Sequence, residues 1–379
     1  MTEKLYYIDA YIKSFTARVI DVQPLGDNYR VVLDRTAFFP EEGGQSADGG
    51  WIAGIPVLDV KELDGEIYHV LPAAPTCDTV RCELDFAPRF EKMQCHTAEH
   101  ILCGIIHKLY GYENVGFHLG DDLVTFDVDG ELTPEQLAEI ERLANEAVFA
   151  NSEIICTFPS PEQLSRLTYR AKLDITEGVR IVTIGDVDAC ACCAPHVART
   201  GEVGLIKLLD FMRHRGGMRI TMVAGYRALA DYSARYHTSK RIGALTSTPS
   251  NAIYESVENM HKELEALRRE LELASVRIAH SEADRLAPTD GNATVYVEGI
   301  GMDALRELAN AAVAKVGGIL VAVSGTCGDY KYVIASRTVN LRERTREINA
   351  ALSGRGGGRP EMIQGSFAAS LDAIKDYFK

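Results

Sequence analysis

Two pairs of residues with the same spacing indicate the chemistry of this chain. His96 and His100 stand four positions apart, so both imidazoles lie on one face if the segment is helical. Cys192 and His196 stand four positions apart in the segment CCAPH. Three imidazoles and one thiolate form a nitrogen and sulfur ligand set that suits tetrahedral zinc. We therefore predict that His96, His100, Cys192 and His196 bind one zinc ion.

The spacing leaves two properties of this zinc site open. Cys190 and Cys193 lie close enough in sequence to replace Cys192 as the sulfur ligand. Four protein ligands would close the coordination sphere, so zinc would either organise the site or contact a substrate by ligand exchange.

The histidine segment also fits a different enzyme class. His96, Glu99 and His100 satisfy the H-x-x-E-H pattern of inverted zinc peptidases, with Glu99 as the general base. That alternative requires a further acidic ligand, and no later helix offers an obvious one. It also leaves the segment from Cys192 to His196 without a role. We keep peptidase activity as the alternative.

Composition places the chain among soluble multidomain proteins. It has 379 residues, 46% of them hydrophobic and 25% charged, so two or three domains are expected. The first residues lack the apolar core of a secretory signal, and the apolar stretch at residues 319–323 is too short to cross a bilayer. We expect a cytoplasmic protein without a membrane partner. Nine cysteines in such a chain favour metal binding over a disulfide framework.

The formal net charge of −14 opposes nucleic-acid binding by the chain as a whole, because phosphates are neutralised by Lys and Arg. Contact with RNA would need local basic segments. Residues 213–219, 235–241 and 337–346 are the candidates.

The elements that position these residues change in type along the chain. Residues 5–85 carry short apolar runs broken by Gly, Asp and Pro, which predicts strands and turns. Residues 94–110 predict a buried helix that carries both histidines. Residues 123–128 and 219–223 predict strands, and residues 134–151 predict a helix that begins after Thr133, with Pro and an acid in the first turn.

Residues 251–282 predict one long helix with a heptad repeat of apolar positions. The seam consists of Ile253, Val257, Met260, Leu264, Leu267, Leu271, Ala274 and Ile278. Two interpretations remain open, a homodimer through residues 253–278 and a helix that packs against its own chain.

Residues beyond Pro288 predict a compact α/β segment. Strands are expected at residues 294–297, 318–323 and 330–336, and helices at 302–316 and 341–352. A glycine-rich stretch from Ser353 to Pro360 then leads into a last helix.

Several motifs, in order, resemble those of the free-standing alanyl-tRNA editing proteins, the AlaX family. Residues 36–45, TAFFPEEGGQ, resemble the T-x-F-Y-P-x-G-G-G-Q stretch of that family, and residues 115–120, VGFHLG, resemble its S-x-H-x-G segment. Residues 192–197, CCAPHV, followed by TGE at 200–202, resemble C-G-G-T-H-V with its trailing T-G-E. Residues 217–220, GMRI, fit the strand that closes the editing domain.

The resemblance extends to the end of the chain, where residues 356–361, GGGRPE, match the glycine-rich motif of the C-terminal domain of alanyl-tRNA synthetase. It implies the long form of the family, an α+β multidomain protein. We expect a small N-terminal β-barrel at residues 1–87, a zinc-binding α+β editing domain at 88–247, a long heptad helix at 248–284 and a C-terminal α/β domain at 285–379.

The sequence departs from the family pattern at three places. Glu42 stands where the first glycine of G-G-G-Q is usual, and Gly116 stands where serine is usual. Cys193, Ala194 and Pro195 replace G-G-T before the last histidine. These departures bear on how the loops reach a substrate.

The activity that the resemblance implies is hydrolysis of the ester in tRNA(Ala) mischarged with serine, and also with glycine. It implies that Thr36 contacts the serine hydroxyl, that Gln45 orients water or the aminoacyl group, and that His118 binds substrate or acts as a base. It further implies tRNA contacts by Arg219, Arg355, Gly356, Gly357, Gly358 and Arg359. A non-catalytic tRNA-binding protein with structural zinc remains a third hypothesis.

Overall fold

The computed structural model describes residues 2–120, 123–171, 178–326 and 328–379. The chain divides into two compact units, unit 1 at residues 1–238 and unit 2 at residues 239–379. Across these ranges, the helices are all too short or too polar to cross a membrane.

The elements of unit 1 begin with short strands and continue with a long helix and two further sheets. The strands are β1 (Glu3–Lys4), β2 (Ser14–Leu25), β3 (Asn28–Leu33), β4 (Arg35–Thr36), β5 (Gly50–Ile52), β6 (Ile55–Val57), β7 (Asp59–Leu63), β8 (Glu66–Leu71), β9 (Thr79–Leu84), β10 (Asn114–Leu119), β11 (Val124–Val128), β12 (Ile154–Thr157), β13 (Ile181–Ile184), β14 (Asp188–Ala191), β15 (Ile206–His214) and β16 (Gly217–Ala224). The α-helices are α1 (Phe86–Tyr110), α2 (Pro134–Phe149), α3 (Pro161–Leu164) and α4 (Gly225–Thr246), which contains the boundary between the units.

The first strands form a seven-stranded sheet in the order β6-β5-β9-β2-β3-β8-β7. The sheet curls into a nearly closed barrel, since β6 at one edge also packs against β8 near the other. Alternate residues point inward, as in β8, where Ile67, His69 and Leu71 are buried and the residues between them are not. The barrel that the sequence predicts at this end of the chain is therefore present.

Helix α1 is the central element of the rest of unit 1. It begins eight residues earlier than the sequence pattern indicates and ends at Gly111, whose φ of 72° suits a left-handed C-cap. It packs against α2 and against both remaining sheets, which have the orders β10-β11-β16-β15 and β12-β13-β14. Helix α2 begins with the predicted cap, in which Thr133 and Gln136 form a capping box.

Unit 2 contains α5 (Ile253–Arg285), α6 (Met302–Ala312), α7 (Leu341–Ala351), α8 (Leu371–Tyr377), β17 (Ala293–Tyr296), β18 (Ile319–Thr326), β19 (Asp329–Ser336), β20 (Gly354–Gly358) and β21 (Met362–Phe367). The sheet order is β17-β18-β19-β21-β20, and β17–β18 is parallel while the other pairs are antiparallel. Leu320 and Ala322 face a core with α5 and α6, whereas Val321 and Val323 face a core with α7 and α8. Both faces are covered, which explains why β18 is a continuous apolar run.

The glycine-rich stretch forms the edge strand β20, although its composition does not indicate a strand. A side chain at Gly356 would lie 2.4 Å from the Tyr332 hydroxyl, and one at Gly354 would lie 2.6 Å from the Phe367 ring. Glycine is required here because the stacked rings of Tyr332 and Phe367 occupy the space below the strand.

Helix α5 contains every position of the predicted heptad seam, from Ile253 to Ile278, and begins two residues later than the predicted helix. Its buried residues are Ser275, Ala279 and Ala283, which pack near α6 and do not belong to the apolar seam. The seam residues Val257, Met260, Leu264, Leu267, Leu271 and Ile278 are exposed in the single chain. The homodimer therefore stays a prediction.

Candidate metal centre

Helix α1 carries a row of polar side chains that are buried. Arg89, Lys92, His96 and His100 follow one another at intervals of three or four residues and are all buried, so they share one face. Arg89 donates to the Asp48 carboxylate and to the carbonyls of Ala10 and Ala37. Lys92 donates to the carbonyls at residues 46 and 47. The helix that carries the histidines is thereby fixed to the loop between β4 and β5.

The four residues proposed as zinc ligands converge. One ligand atom from each of His96, His100, Cys192 and His196 can be chosen so that all lie within 4.8 Å of one another. The Cys192 Sγ lies 3.5 Å from His96 Nε2 and 3.4 Å from His196 Nε2. We call these four residues the His/Cys cluster. Nitrogen and sulfur atoms at such separations fit the ligand shell of a single tetrahedral zinc ion.

Each imidazole of the cluster has a partner at its outward nitrogen. His96 Nδ1 lies 3.0 Å from Gln45 Oε1, His196 Nδ1 lies 3.0 Å from Thr97 Oγ1, and His100 Nδ1 lies 3.0 Å from Asp188 Oδ2. An Nδ1–H that donates outward leaves the Nε2 lone pair for a metal. All three histidines therefore present Nε2 to the inside of the cluster, which is the arrangement that a metal ion needs.

Electrostatics inside the cluster favour a cation. Burial raises the pKa of the Cys192 thiol well above its usual value, and the neighbouring Cys193 adds to the effect. Burial, together with His100 and His96, lowers the pKa of His196 well below its usual range, so this imidazole is neutral. Neutral imidazoles can bind a metal without first losing a proton, and a bound cation supplies the positive charge that stabilises a buried thiolate.

The segment that holds Cys192 and His196 is fixed by Arg180. Its Nη1 donates to the carbonyls of Cys192 (2.9 Å) and Ala194 (2.8 Å), and the Cys192 N–H donates to the Arg180 carbonyl. Cys193 points elsewhere, since its Sγ faces the Gly43 backbone. The geometry thus favours Cys192 over Cys193 as the sulfur ligand, and Cys190 lies instead in a group with His100 and Asp188.

Gln45 reaches the cluster from a tight turn in the barrel. The N–H groups of Glu42 and Gln45 donate to each other's carbonyls, while Gly43 and Gly44 have φ of 63° and 82°, as in a type I′ turn. Glu42 stands outside the two positions that require glycine, so the departure from G-G-G-Q leaves this turn intact. The Gln45 Oε1 accepts from His96, and its buried Nε2 has no hydrogen-bond partner among the described atoms.

Thr36 lies at the end of β4 and is completely buried. Its Oγ1 accepts from the Phe38 N–H and lies 2.9 Å from His69 Nε2. His69 Nδ1 lies 3.2 Å from the Val31 carbonyl, which can only accept. The neutral His69 therefore carries its proton on Nδ1, and its Nε2 accepts a hydrogen bond from the Thr36 hydroxyl. Thr36 keeps only acceptor capacity for a further partner.

The structure does not bring the other two side chains of unit 1 to the cluster. On β10 the Phe117 ring lies 4.7 Å from the His96 ring, so alternation directs His118 to the opposite face, where it is exposed. Arg219 on β16 donates to both carboxylate oxygens of Asp127 on β11, at 2.7 and 2.8 Å. Their assigned roles stay predictions.

Glu99 is buried beside the cluster. Its Oε1 accepts from the Asn114 amide and lies 3.5 Å from the Cys103 Sγ, while Oε2 lies 3.8 Å from His100 Nε2. The third and fourth members of the cluster are Cys192 and His196, whereas the peptidase alternative requires an acidic ligand. The geometry therefore gives that alternative no support.

Unit 2 carries a separate cavity of about 820 Å³. We call it the α7 cavity, and its lining is Asn340, Arg342, Glu343, Thr345, Arg346, Asn349, Gly356, Gly357, Gly358 and Pro360. Three of the residues predicted to bind tRNA are therefore in its wall. Arg355 and Arg359, on either side of them, are exposed.

Sequence reasoning missed the residues behind the ligands. Asp188, Thr97 and Arg180 contact ligand side chains or ligand carbonyls, yet no spacing rule singles them out. Asp188 lies four residues before Cys192, and an acid so close to a proposed ligand was the available signal.

One segment of the chain, which includes two of the four cluster residues, matches a known protein family. Residues 179–221 match the family described as "Threonyl and Alanyl tRNA synthetase second additional domain". The matched segment contains Cys192 and His196 but not His96 or His100.

Full-length relatives cover almost the whole chain. The chain is 30% identical to the alanyl-tRNA editing protein AlaX-L of Pyrococcus horikoshii, over 99% of this chain and 97% of that protein. It is 31% identical to the alanine–tRNA ligase of Halorubrum lacusprofundi and 30% identical to that of Archaeoglobus fulgidus, over 99% and 98% of this chain. The chain spans 43% of the length of each of these two ligases.

A solved structure matches a smaller part. The C-Ala domain of Aquifex aeolicus alanyl-tRNA synthetase is 26% identical and covers 23% of this chain and 86% of that domain, with a TM-score of 0.21.

Proposed function

Because the chain belongs to the family of alanyl-tRNA editing proteins, we propose that it hydrolyses the ester that joins serine, and also glycine, to the terminal ribose of tRNA(Ala). The observation that carries this proposal is the convergence of the His/Cys cluster with the Gln45 amide. A buried metal site beside an unsatisfied hydrogen-bond donor is a place prepared for a polar ligand.

The reaction answers a limit of molecular recognition. A pocket for the small apolar side chain of alanine cannot strongly reject an amino acid that merely adds a hydroxyl. Discrimination of only about a hundredfold leaves errors that a second site must remove. That second site must recognise the hydroxyl by a hydrogen bond and reject alanine for lacking it.

Gln45 is the residue best placed to hold the ester. Its Oε1 is committed to His96, so only Nε2 is available, and a buried donor without a partner costs about 1–3 kcal/mol. A substrate carbonyl or an attacking water could accept from it. Holding both in line can lower the barrier by several kcal/mol without a dedicated nucleophile.

Thr36 is the proposed contact for the serine hydroxyl. Since the Thr36 hydroxyl already donates its hydrogen bond to His69, Thr36 can act toward a substrate only as an acceptor. A serine hydroxyl would donate to it, whereas alanine has nothing to donate. His118 is retained as a proposed substrate contact or base, although it would have to act from the exposed face of β10.

His96, His100, Cys192 and His196 would hold the zinc ion. When bound, zinc supplies a fixed positive charge that organises the site and can interact with substrate only by ligand exchange. Thr97 on α1 contacts His196, and Arg180 donates to the Cys192 carbonyl, so the protein itself sets where the ligands lie.

Binding of tRNA(Ala) would use surfaces beyond the cluster. We assign it to Arg219, Arg355, Gly356, Gly357, Gly358 and Arg359, and the α7 cavity adds Arg342 and Arg346. The exposed seam of α5 supports a homodimer through residues 253–278. From membership of the same family we also propose a division of the chain into domains at residues 1–87, 88–247, 248–284 and 285–379.

The decisive experiment measures deacylation of Ser-tRNA(Ala), Gly-tRNA(Ala) and Ala-tRNA(Ala), with zinc content determined on the same preparation. We expect rapid loss of serine, loss of glycine and little loss of alanine, with one zinc per chain. If zinc-loaded protein binds tRNA(Ala) but cleaves none of the three esters, the non-catalytic hypothesis replaces this proposal.

A further inference from the structure

His100 differs from the other two histidines of the cluster in what stands behind it. His96 and His196 have neutral partners, Gln45 and Thr97, whereas His100 donates to a carboxylate, Asp188 Oδ2, at 3.0 Å. Asp188 is buried. A carboxylate behind a metal-binding imidazole fixes the ring and makes its second nitrogen a better ligand.

Asp188 is itself held by a second charged group. Arg170 donates from Nε to Oδ1 at 2.8 Å and from Nη2 to Oδ2 at 2.9 Å, and its side chain is 9% exposed. The bidentate pair leaves the carboxylate one orientation. It also places a positive charge beside the buried Asp188 carboxylate, which keeps Asp188 ionised as the acceptor for His100.

Helix α1 provides the space that this arrangement needs. Gly104 lies one turn beyond His100 on the same face, and a side chain there would lie 2.7 Å from the Asp188 Cβ and 2.6 Å from the Val187 carbonyl. Glycine inside a helix is unfavourable, and α1 is otherwise continuous over 25 residues. The clearance for Asp188 is a physical reason for this glycine.

We propose that Asp188, clamped by Arg170 and admitted by Gly104, is a positioning residue that sets the metal affinity of the cluster through His100. This inference rests on the zinc site of the proposed function and assigns residues that the motifs do not contain. It also gives a role to the turn that joins β13 to β14, since that turn delivers Asp188 to α1.

The test compares zinc affinity, by chelator competition, in wild-type protein, D188N and D186N. Asp186 lies in the same turn with an exposed side chain, and its pair with Lys108 is at the surface, so D186N is the matched control. We expect D188N to weaken zinc binding about ten- to a hundredfold and D186N to change it less than twofold. The visible spectrum of the cobalt-substituted protein should shift in D188N alone, because the spectrum reports the ligand field.

Two further variants keep the test decisive if D188N folds poorly with Arg170 unpaired. The double variant D188N/R170Q removes both charges, and G104A displaces Asp188 while every charged group remains. We expect both to weaken zinc binding, and G104A to add nothing when combined with D188N. Folded variants that bind zinc as wild type does, with an unchanged cobalt spectrum, would overturn the inference alone. Wild-type protein that takes up no zinc would overturn the metal site as well, and zinc binding without deacylation would overturn only the editing activity.

Discussion

The His/Cys cluster of unit 1 is buried, and a separate side chain stands behind each imidazole, whereas the α7 cavity of unit 2 is lined by exposed arginines and a strand of glycines. The cluster has one geometry, set by packing before any ligand arrives. The cavity offers backbone groups and exposed arginine side chains to a ligand. Single substitutions should therefore have large, all-or-none effects at the cluster and small, additive effects at the cavity.

The largest effect is expected from removal of the sulfur ligand. C192A should lose stoichiometric zinc and deacylation together, because a binding energy of about 10–16 kcal/mol shared by four ligands implies a loss of about 70- to 900-fold in affinity for each. Metal analysis and Ser-tRNA(Ala) hydrolysis measure the two losses. C193A is the control and should keep its zinc. Retention of zinc by C192A with loss in C193A would assign the sulfur ligand to Cys193.

The second largest effect is expected on the free energy of unfolding, and it comes from His69, a histidine outside the His/Cys cluster. Burial lowers the pKa of His69 from 6.5 to about 4, so the folded barrel binds fewer protons than the unfolded chain between these values. Stability is therefore fully present above pH 6.5 and falls by about 3 kcal/mol as the pH decreases to 4. Urea unfolding of metal-free protein at several pH values measures this loss. H69Q should lack this part of the pH dependence, and an identical slope in H69Q would contradict it.

Removal of the proposed specificity contact should have a moderate effect. T36V keeps the shape of the side chain but loses the acceptor, so Ser-tRNA(Ala) hydrolysis should fall about tenfold, the value of one hydrogen bond. T36S keeps the hydroxyl and should remain within about threefold of wild type. Relative rates on Ser-tRNA(Ala) and Ala-tRNA(Ala) give the comparison. Equal rates for T36V and T36S would remove Thr36 from substrate recognition.

The smallest effects are expected at the α7 cavity. R342Q or R346Q should each weaken tRNA(Ala) binding a few-fold and reduce the salt dependence of the affinity by about one ion. R344Q is the control, since Arg344 lies on the same helix and pairs with Glu347 outside the cavity lining. Filter binding at several salt concentrations measures both quantities. A loss in R344Q as large as in R342Q would show that net charge, and not the cavity, determines the affinity.

The same contrast explains what the sequence could predict. Spacing of four identified His96, His100, Cys192 and His196, because a helix and a short loop are local objects. The apolar run of β18 and the heptad positions of α5 could be predicted for the same reason, since each is a pattern within one continuous segment. Asp188 meets His100, Gln45 meets His96 and Arg170 meets Asp188 only through long-range packing, so no local pattern describes those contacts. The glycine strand was missed for a related reason, since its need for glycine comes from Tyr332 and Phe367 on other strands.

The buried pair of Arg89 and Asp48 has a consequence for protein engineering. It joins α1 to the barrel across the boundary that the sequence suggests near residue 87, and Lys92 adds a second tie to the same loop. The barrel is therefore not an interchangeable module. Its removal would expose the ionic groups of α1 and take Gln45 away from His96, so a shortened protein would keep the four residues of the His/Cys cluster but lose the Gln45 contact that orients His96.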